Sequence, residues 1–285
     1  MQAGVALRDG ACDLGAGHPA TFAADQIGLN AASRRVPSVV TGVAVVTGAT
    51  SGIGEATARH LASLGLEVVV GARREGRLRL VAEEIGARWA VLDVADPASV
   101  DRFCSQIQEC RVLVNNAGGA LGLDRIEHAD EEDWRAMYEV NVLGTLRMTK
   151  RLLPLLEASG DGHVVTVGSI AAYEPYAGGA GYNAAKFAER AFSRVLRMEL
   201  LGRPVRVSEV HPGMVETEFS KVRFRGDEER AKSIYRGMTP LDASDVAECV
   251  GFVVTRPAHV NIDSIVVLAR DQSGAVTVHR REGED

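Results

Sequence analysis

The chain has 285 residues, of which 46% are hydrophobic and 25% charged, with a formal net charge of −6. That balance suits a soluble α/β domain, and the acidity speaks against nucleic acid as a partner. No apolar run approaches the about 20 residues of a membrane-spanning helix, so no membrane partner is expected. Cys12, Cys104, Cys110 and Cys249 form no CxxC pair, and the seven histidines form no HExxH pattern. Reduced thiols, a cytoplasmic location and no metal site are the expectation.

Residues 1–40 are rich in Ala and Gly and show neither a helical nor a strand period. They lack a basic start followed by an apolar core, so they read as a disordered extension rather than a secretory signal. Residues 41–285 read as a single domain in which short apolar runs alternate with amphipathic stretches. The predicted strands are Val43–Thr47, Glu67–Gly71, Arg88–Leu92, Arg111–Asn115, His163–Gly168, Val205–Val210 and Ser264–Leu268. They are rich in Val, Ile and Leu without strict polar alternation, as parallel strands covered on both faces require. Helical spacing separates most of them, as at Glu55, Ala58, Leu61, Ala62 and Leu64. The fold class is α/β, a three-layer α/β/α sandwich around a parallel sheet.

The first strand runs into Gly48-Ala49-Thr50-Ser51-Gly52-Ile53-Gly54, followed at once by a helix. The three glycines permit a tight turn and a close backbone approach to a diphosphate, which the helix N-terminus attracts. A P-loop would need Gly-Lys-Ser/Thr, which is absent. The second strand ends in Arg73-Arg74 where an NAD site usually places an acid. Guanidinium groups there suit a 2′-phosphate, so the expected cofactor is NADP; the alternative is a solvated loop charge. Asp93-Val94 after the third strand could meet the adenine edge. Asn115, Ala117 and Gly118 at the end of the fourth fall beside the same crevice.

The segment Val164–Lys186 offers the reactive groups. Ser169 sits where a strand runs out, and Tyr182 and Lys186 lie four apart on one helical face. A free phenol is a poor base at neutral pH, and a nearby ammonium lowers its pKa. Lys186 is placed to do this and to reach ribose hydroxyls, while Ser169 can hold the reacting oxygen against Tyr182. Asn141 is polar within an apolar helix: either it holds a water that relays protons to Lys186, or it is a satisfied buried Asn in a helix bend.

Together these motifs resemble the short-chain dehydrogenase/reductase family. The resemblance implies a seven-stranded Rossmann-like sheet and hydride transfer between NAD(P) and an alcohol or carbonyl carbon. It implies Tyr182 as general acid/base, Lys186 as its partner, Ser169 as the carbonyl orienter and Asn141 as a relay. Pro212, Gly213, Val215 and Thr217 would line the nicotinamide amide. Residues 174–179, 218–227 and 256–262 are similar to those of the NADP-dependent 3-hydroxy acid dehydrogenases. That subgroup acts on small hydroxy acids such as serine, allo-threonine and 3-hydroxyisobutyrate, and its members reduce malonic semialdehyde to 3-hydroxypropionate. A carboxylate substrate needs a cationic partner, and Lys221, Arg223 and Arg225 follow the Pro-Gly turn. Arg223 is favoured, with Tyr176 shaping the same cleft; a solvated basic loop is the alternative. The rivals are a ketoreductase acting on a larger carbonyl compound and a silent cofactor-binding regulator. Relatives pair through the helix carrying Tyr182, so a homotetramer or homodimer is expected, with residues 270–280 as a further interface contribution.

Overall fold

A computed structural model describes residues 40–281. The expectations for residues 1–39 and for the last four residues lie outside the described residues. All seven predicted strands form: β1 (Val43–Thr47), β2 (Glu67–Ala72), β3 (Arg88–Val91), β4 (Val112–Asn115), β5 (Gly162–Val167), β6 (Val205–Pro212) and β7 (Ser264–Val267). Their ends differ from the expected ones by two residues at most. They pair in parallel in the order β3-β2-β1-β4-β5-β6-β7.

The period-2 geometry of a strand sends alternate side chains into two separate cores. From β1, Ala44 and Val46 enter one core and Val43 and Val45 the other. The first core is closed by α1 (Gly52–Ser63), α2 (Glu75–Ile85) and α9 (Ala243–Val254), through Leu61, Leu78 and Val250. The second is closed by α3 (Pro97–Cys104), α5 (Gly144–Ala158) and α6 (Ala180–Glu199), through Phe103, Leu152 and Leu196. Burial on both faces explains why the five central strands read as apolar runs, while the edge strands β3 and β7 are partly exposed.

Local chemistry sets where the helices begin and end. Asp96 accepts from the Ala98 amide at 2.9 Å and Pro97 opens α3. Asp130 caps α4 (Glu131–Tyr138) in the same way. A π-turn over Glu139–Leu143 joins α4 to α5. Two short helices, α7 (Glu218–Arg223) and α8 (Glu228–Ser233), follow β6. Sequential order reverses between β1 and β4, which opens a crevice at the carboxyl ends of these strands.

Candidate active site

The crevice holds a cleft of about 550 Å³. Its floor is the loop from Gly48 to Gly54. Gly48 has a φ of 70°, and its amide donates to the Gly71 carbonyl at 2.8 Å. A Cβ at Gly54 would collide with the Gly48 carbonyl and the Asn116 side chain, so the turn closes only with glycine there. Thr50, Ser51, Gly52 and Ile53 complete this wall, with the free amides of the α1 N-terminus beneath them. The cradle fits a diphosphate by shape and by dipole.

Arg73 lines the cleft with no side-chain partner among the described residues. Arg74 is engaged: it donates to Ser51 Oγ at 2.7 Å, to Thr50 Oγ1 at 3.0 Å and to Glu218 Oε2 at 2.7 Å. Arg77 takes the other Glu218 oxygen at 2.6 Å. Arg77 first and Arg74 second hold the Glu218 carboxyl down to about 2. Asp93 and Val94 line the adjoining wall, although Asp93 Oδ1 already accepts from the Ala95 amide at 3.0 Å.

At the end of β4 the expectation needs correcting. Ala117 and Gly118 line the cleft, but Asn115 does not. Strand alternation turns Asn115 toward α5, where its Nδ2 donates to Thr149 Oγ1 at 3.0 Å. Asn116 lines the cleft instead and ties the ends of β1 and β4 by donating from Nδ2 to the Thr47 carbonyl at 2.9 Å. Pro212, Gly213, Val215 and Thr217 all face the cleft, and Thr217 Oγ1 caps α7 by accepting from the Phe219 amide at 3.2 Å.

Ser169, Tyr182 and Lys186 share one wall. Lys186 Nζ donates to the Val167 carbonyl at 3.1 Å and to Glu189 Oε2 at 2.7 Å. Burial alone would lower its ammonium, but Glu189 and the Tyr182 phenol carry it above its ordinary value. The phenol departs from expectation. Burial pushes it above its ordinary value, outweighing the downward pull of Lys186 and Ser169. Lys186 acts in the expected direction, yet its charge is shared with Glu189 and the phenol is almost wholly desolvated.

Asn141 is fully buried in the π-turn. Its Nδ2 donates to the carbonyls of Met137 at 2.7 Å and Gly119 at 2.9 Å, and its Oδ1 accepts from the Gly119 amide at 3.2 Å. Its own carbonyl accepts from Thr145 Oγ1 at 2.8 Å. Through these bonds the side chain holds the Gly118–Gly119 loop.

Of the three cations after the Pro-Gly turn, only Arg223 faces the cleft. Lys221 pairs with Glu228, and Arg225 with Asp133 at 2.6 Å. Arg223 donates from Nε to the Gly122 carbonyl at 2.9 Å and from Nη1 to Tyr176 Oη at 3.0 Å. Its Nη2 is buried without a partner, and its Cζ stands 5.8 Å from the centre of the Tyr182 ring. The C-terminal stretch also reaches the site. Ala275 and Val276 line the cleft, and the Ala275 amide donates to Glu174 Oε2 at 2.8 Å. Arg280 in the same stretch donates to the Arg236 and Ile234 carbonyls.

The family model for short chain dehydrogenase matches residues 42–228. The chain belongs to this family. An uncharacterized oxidoreductase of Mycobacterium tuberculosis is 60% identical over 233 residues, covering 82% of this chain and 93% of the relative. The NADP-dependent 3-hydroxy acid dehydrogenase of Salmonella typhi is 42% identical over 246 residues, covering 84% and 99%. Among solved structures, the closed form of a serine dehydrogenase complexed with NADP+ superposes with a TM-score of 0.80 at 40% identity, over 84% of this chain and all of that one.

Within this short-chain dehydrogenase fold, several cleft residues carried no signal in the sequence. Tyr235 donates to the Val215 carbonyl at 2.8 Å and so fixes the loop before α7. Gln272 Oε1 accepts from the Met214 amide at 2.9 Å. Both come from segments remote in sequence, so no local motif could have named them. No group of three or more His, Cys, Asp or Glu suited to a metal occurs among the described residues, and none of their helices is long and apolar enough to cross a membrane.

Proposed function

We propose that this short-chain oxidoreductase uses NADP to interconvert a small 3-hydroxy acid, of the serine, allo-threonine or 3-hydroxypropionate type, and its 3-oxo form. The observation that carries the substrate class is Arg223, a half-buried guanidinium whose Nη2 is buried and unpartnered beside Tyr182. A buried N–H left without an acceptor is costly, and a substrate carboxylate would satisfy Nη2. Bound NADP supplies the hydride acceptor in oxidation and, when reduced, the hydride donor. Tyr182 takes the proton of the substrate hydroxyl, Ser169 hydrogen-bonds the same oxygen, and Lys186 stabilises the phenolate. Asn141 supports this wall through the Gly118–Gly119 loop. The test is NADP reduction with serine, allo-threonine and 3-hydroxyisobutyrate. Silence on all three, with turnover of a bulky secondary alcohol, overturns the substrate class in favour of a ketoreductase.

Arg73, exposed and unpartnered beside the glycine loop, is the candidate for the 2′-phosphate. Arg73→Ala is expected to weaken NADP by about 10- to 150-fold, the worth of a charged hydrogen bond. NAD should lose far less. Equal losses for both cofactors, read by fluorescence titration of their reduced forms, would refute this role.

Leu146, Phe187, Val195 and Met198 are exposed apolar residues on α5 and α6, and they support pairing with a second copy into a dimer or tetramer. Light scattering that reads a single-chain mass would count against it. The cytoplasmic reading is supported by the free thiols Cys104, Cys110 and Cys249.

A further inference from the structure

One buried acid beside the site has no part in the mechanism above. Glu189 lies three residues beyond Lys186 on α6 and is 2% exposed. Its Oε2 is 2.7 Å from Lys186 Nζ. Its Oε1 is 3.3 Å from Thr145 Oγ1, whose hydroxyl also reaches the Asn141 carbonyl at 2.8 Å. Carboxylates are rarely buried this deeply unless paired, and an apolar side chain would stabilise the α5–α6 contact at least as well. The acid therefore answers a need of its neighbour. Lys186 is equally buried, and an ammonium so placed loses its proton readily unless a counter-charge holds it.

We propose that Glu189 is a positioning residue: its buried carboxylate keeps the Lys186 ammonium charged and in place, and so sets the pH window in which the Tyr182–Lys186 pair works. Two hydrogen bonds define that arrangement. The Val167 carbonyl of β5 takes one Lys186 N–H and Glu189 takes another, so the ammonium points the rest of its charge at the cleft. Burial pushes the Glu189 carboxyl up, while Lys186 and the Thr145 hydroxyl pull it back. Glu209 of β6, itself buried, adds a second negative field on both Lys186 and Glu189. His211 Nε2 stands 3.6 Å from Glu209 Oε1, and its Nδ1 accepts from the Ser169 amide at 3.3 Å.

The inference rests on Tyr182 as the acid/base group, and the two can fail separately. Removing a negative charge favours proton loss from every neighbour, so both steps of the coupled pair should move the same way. In Glu189→Gln, both limbs of the kcat/KM profile for hydroxy-acid oxidation are expected to shift to lower pH by about one unit. Glu189→Asp, which keeps the charge, should stay near wild type. A second readout needs neither cofactor nor substrate. The tyrosinate absorbance that disappears on Tyr182→Phe should develop at lower pH in the Glu189→Gln background than in the wild type. If Glu189→Gln does not fold, Glu189→Leu, an apolar side chain on a largely buried helix face, is expected to give the same shifts. Unmoved or alkaline-shifted limbs, or equal shifts in the Gln and Asp variants, overturn the proposal. Turnover surviving in Tyr182→Phe would instead sink the acid/base reading on which it rests.

Discussion

Tyr182→Phe is expected to abolish turnover while leaving NADPH affinity nearly unchanged. The substitution removes one hydroxyl and keeps the ring, whose centre lies 5.5 Å from that of Phe219 and which packs in the small core formed with Met137 and Ala171. Folding and cleft shape should therefore persist. Loss of a general acid/base typically costs about 10²- to 10⁴-fold, and little else on this wall can replace the phenol. Ser169 is the nearest hydroxyl, but its Oγ already accepts from the Ala171 amide at 3.1 Å, and it is a far weaker acid. Steady-state NADP reduction alongside NADPH fluorescence titration measures both halves. A rate within about threefold of wild type would remove Tyr182 from the chemistry, since such a loss is only about 0.7 kcal/mol of barrier.

Arg223→Leu should be the second most damaging change for hydroxy-acid substrates. Truncating one member of a buried charge pair costs about 2–5 kcal/mol, or about 30- to several-thousand-fold in kcat/KM. The guanidinium also holds the Gly122 carbonyl and Tyr176 Oη, so a general loss of activity would not by itself identify a carboxylate partner. The decisive comparison is between an acid and the matching alcohol that lacks the carboxylate. Wild type should prefer the acid, and the variant should lose that preference while its turnover of the alcohol changes little. A uniform loss on both substrates would assign Arg223 to holding the loop alone.

Most of the fold is legible in the sequence because its physics is local. A strand buried on both faces is an unbroken apolar run, and a diphosphate loop needs glycine where the backbone closes on itself, as at Gly54. The site is legible in part for the same reason: Tyr182 and Lys186 are one helical turn apart, so one helix places both. Asn115 and Asn116 show where this ends. They are adjacent, chemically identical and pointed to opposite faces, and only the register of β4 decides which one meets the cleft. Arg223 and Arg225 present the same difficulty, since partners about 90 to 100 residues away, Gly122 and Asp133, separate the cleft residue from the ion pair. Glu189 carried no signal because an acid on an amphipathic helix ordinarily faces water. The upward displacement of the Tyr182 phenol was hidden too, because desolvation belongs to the packed molecule and not to any motif.

Glu218 gives the arginine corner of the cleft an occupant of its own. Its two oxygens sit on Arg74 and Arg77, so a ligand phosphate reaching Arg74 must displace a carboxylate that mimics it. These side chains are substantially exposed, and such a pair is worth about 0–1 kcal/mol, so the placeholder is easily evicted. Affinity at this corner is then a difference between two ion pairs of the same sign and geometry. Added salt weakens both, and its effects largely cancel. Ionic strength should therefore influence phosphate capture through Arg73, which holds no such internal rival, much more than through Arg74.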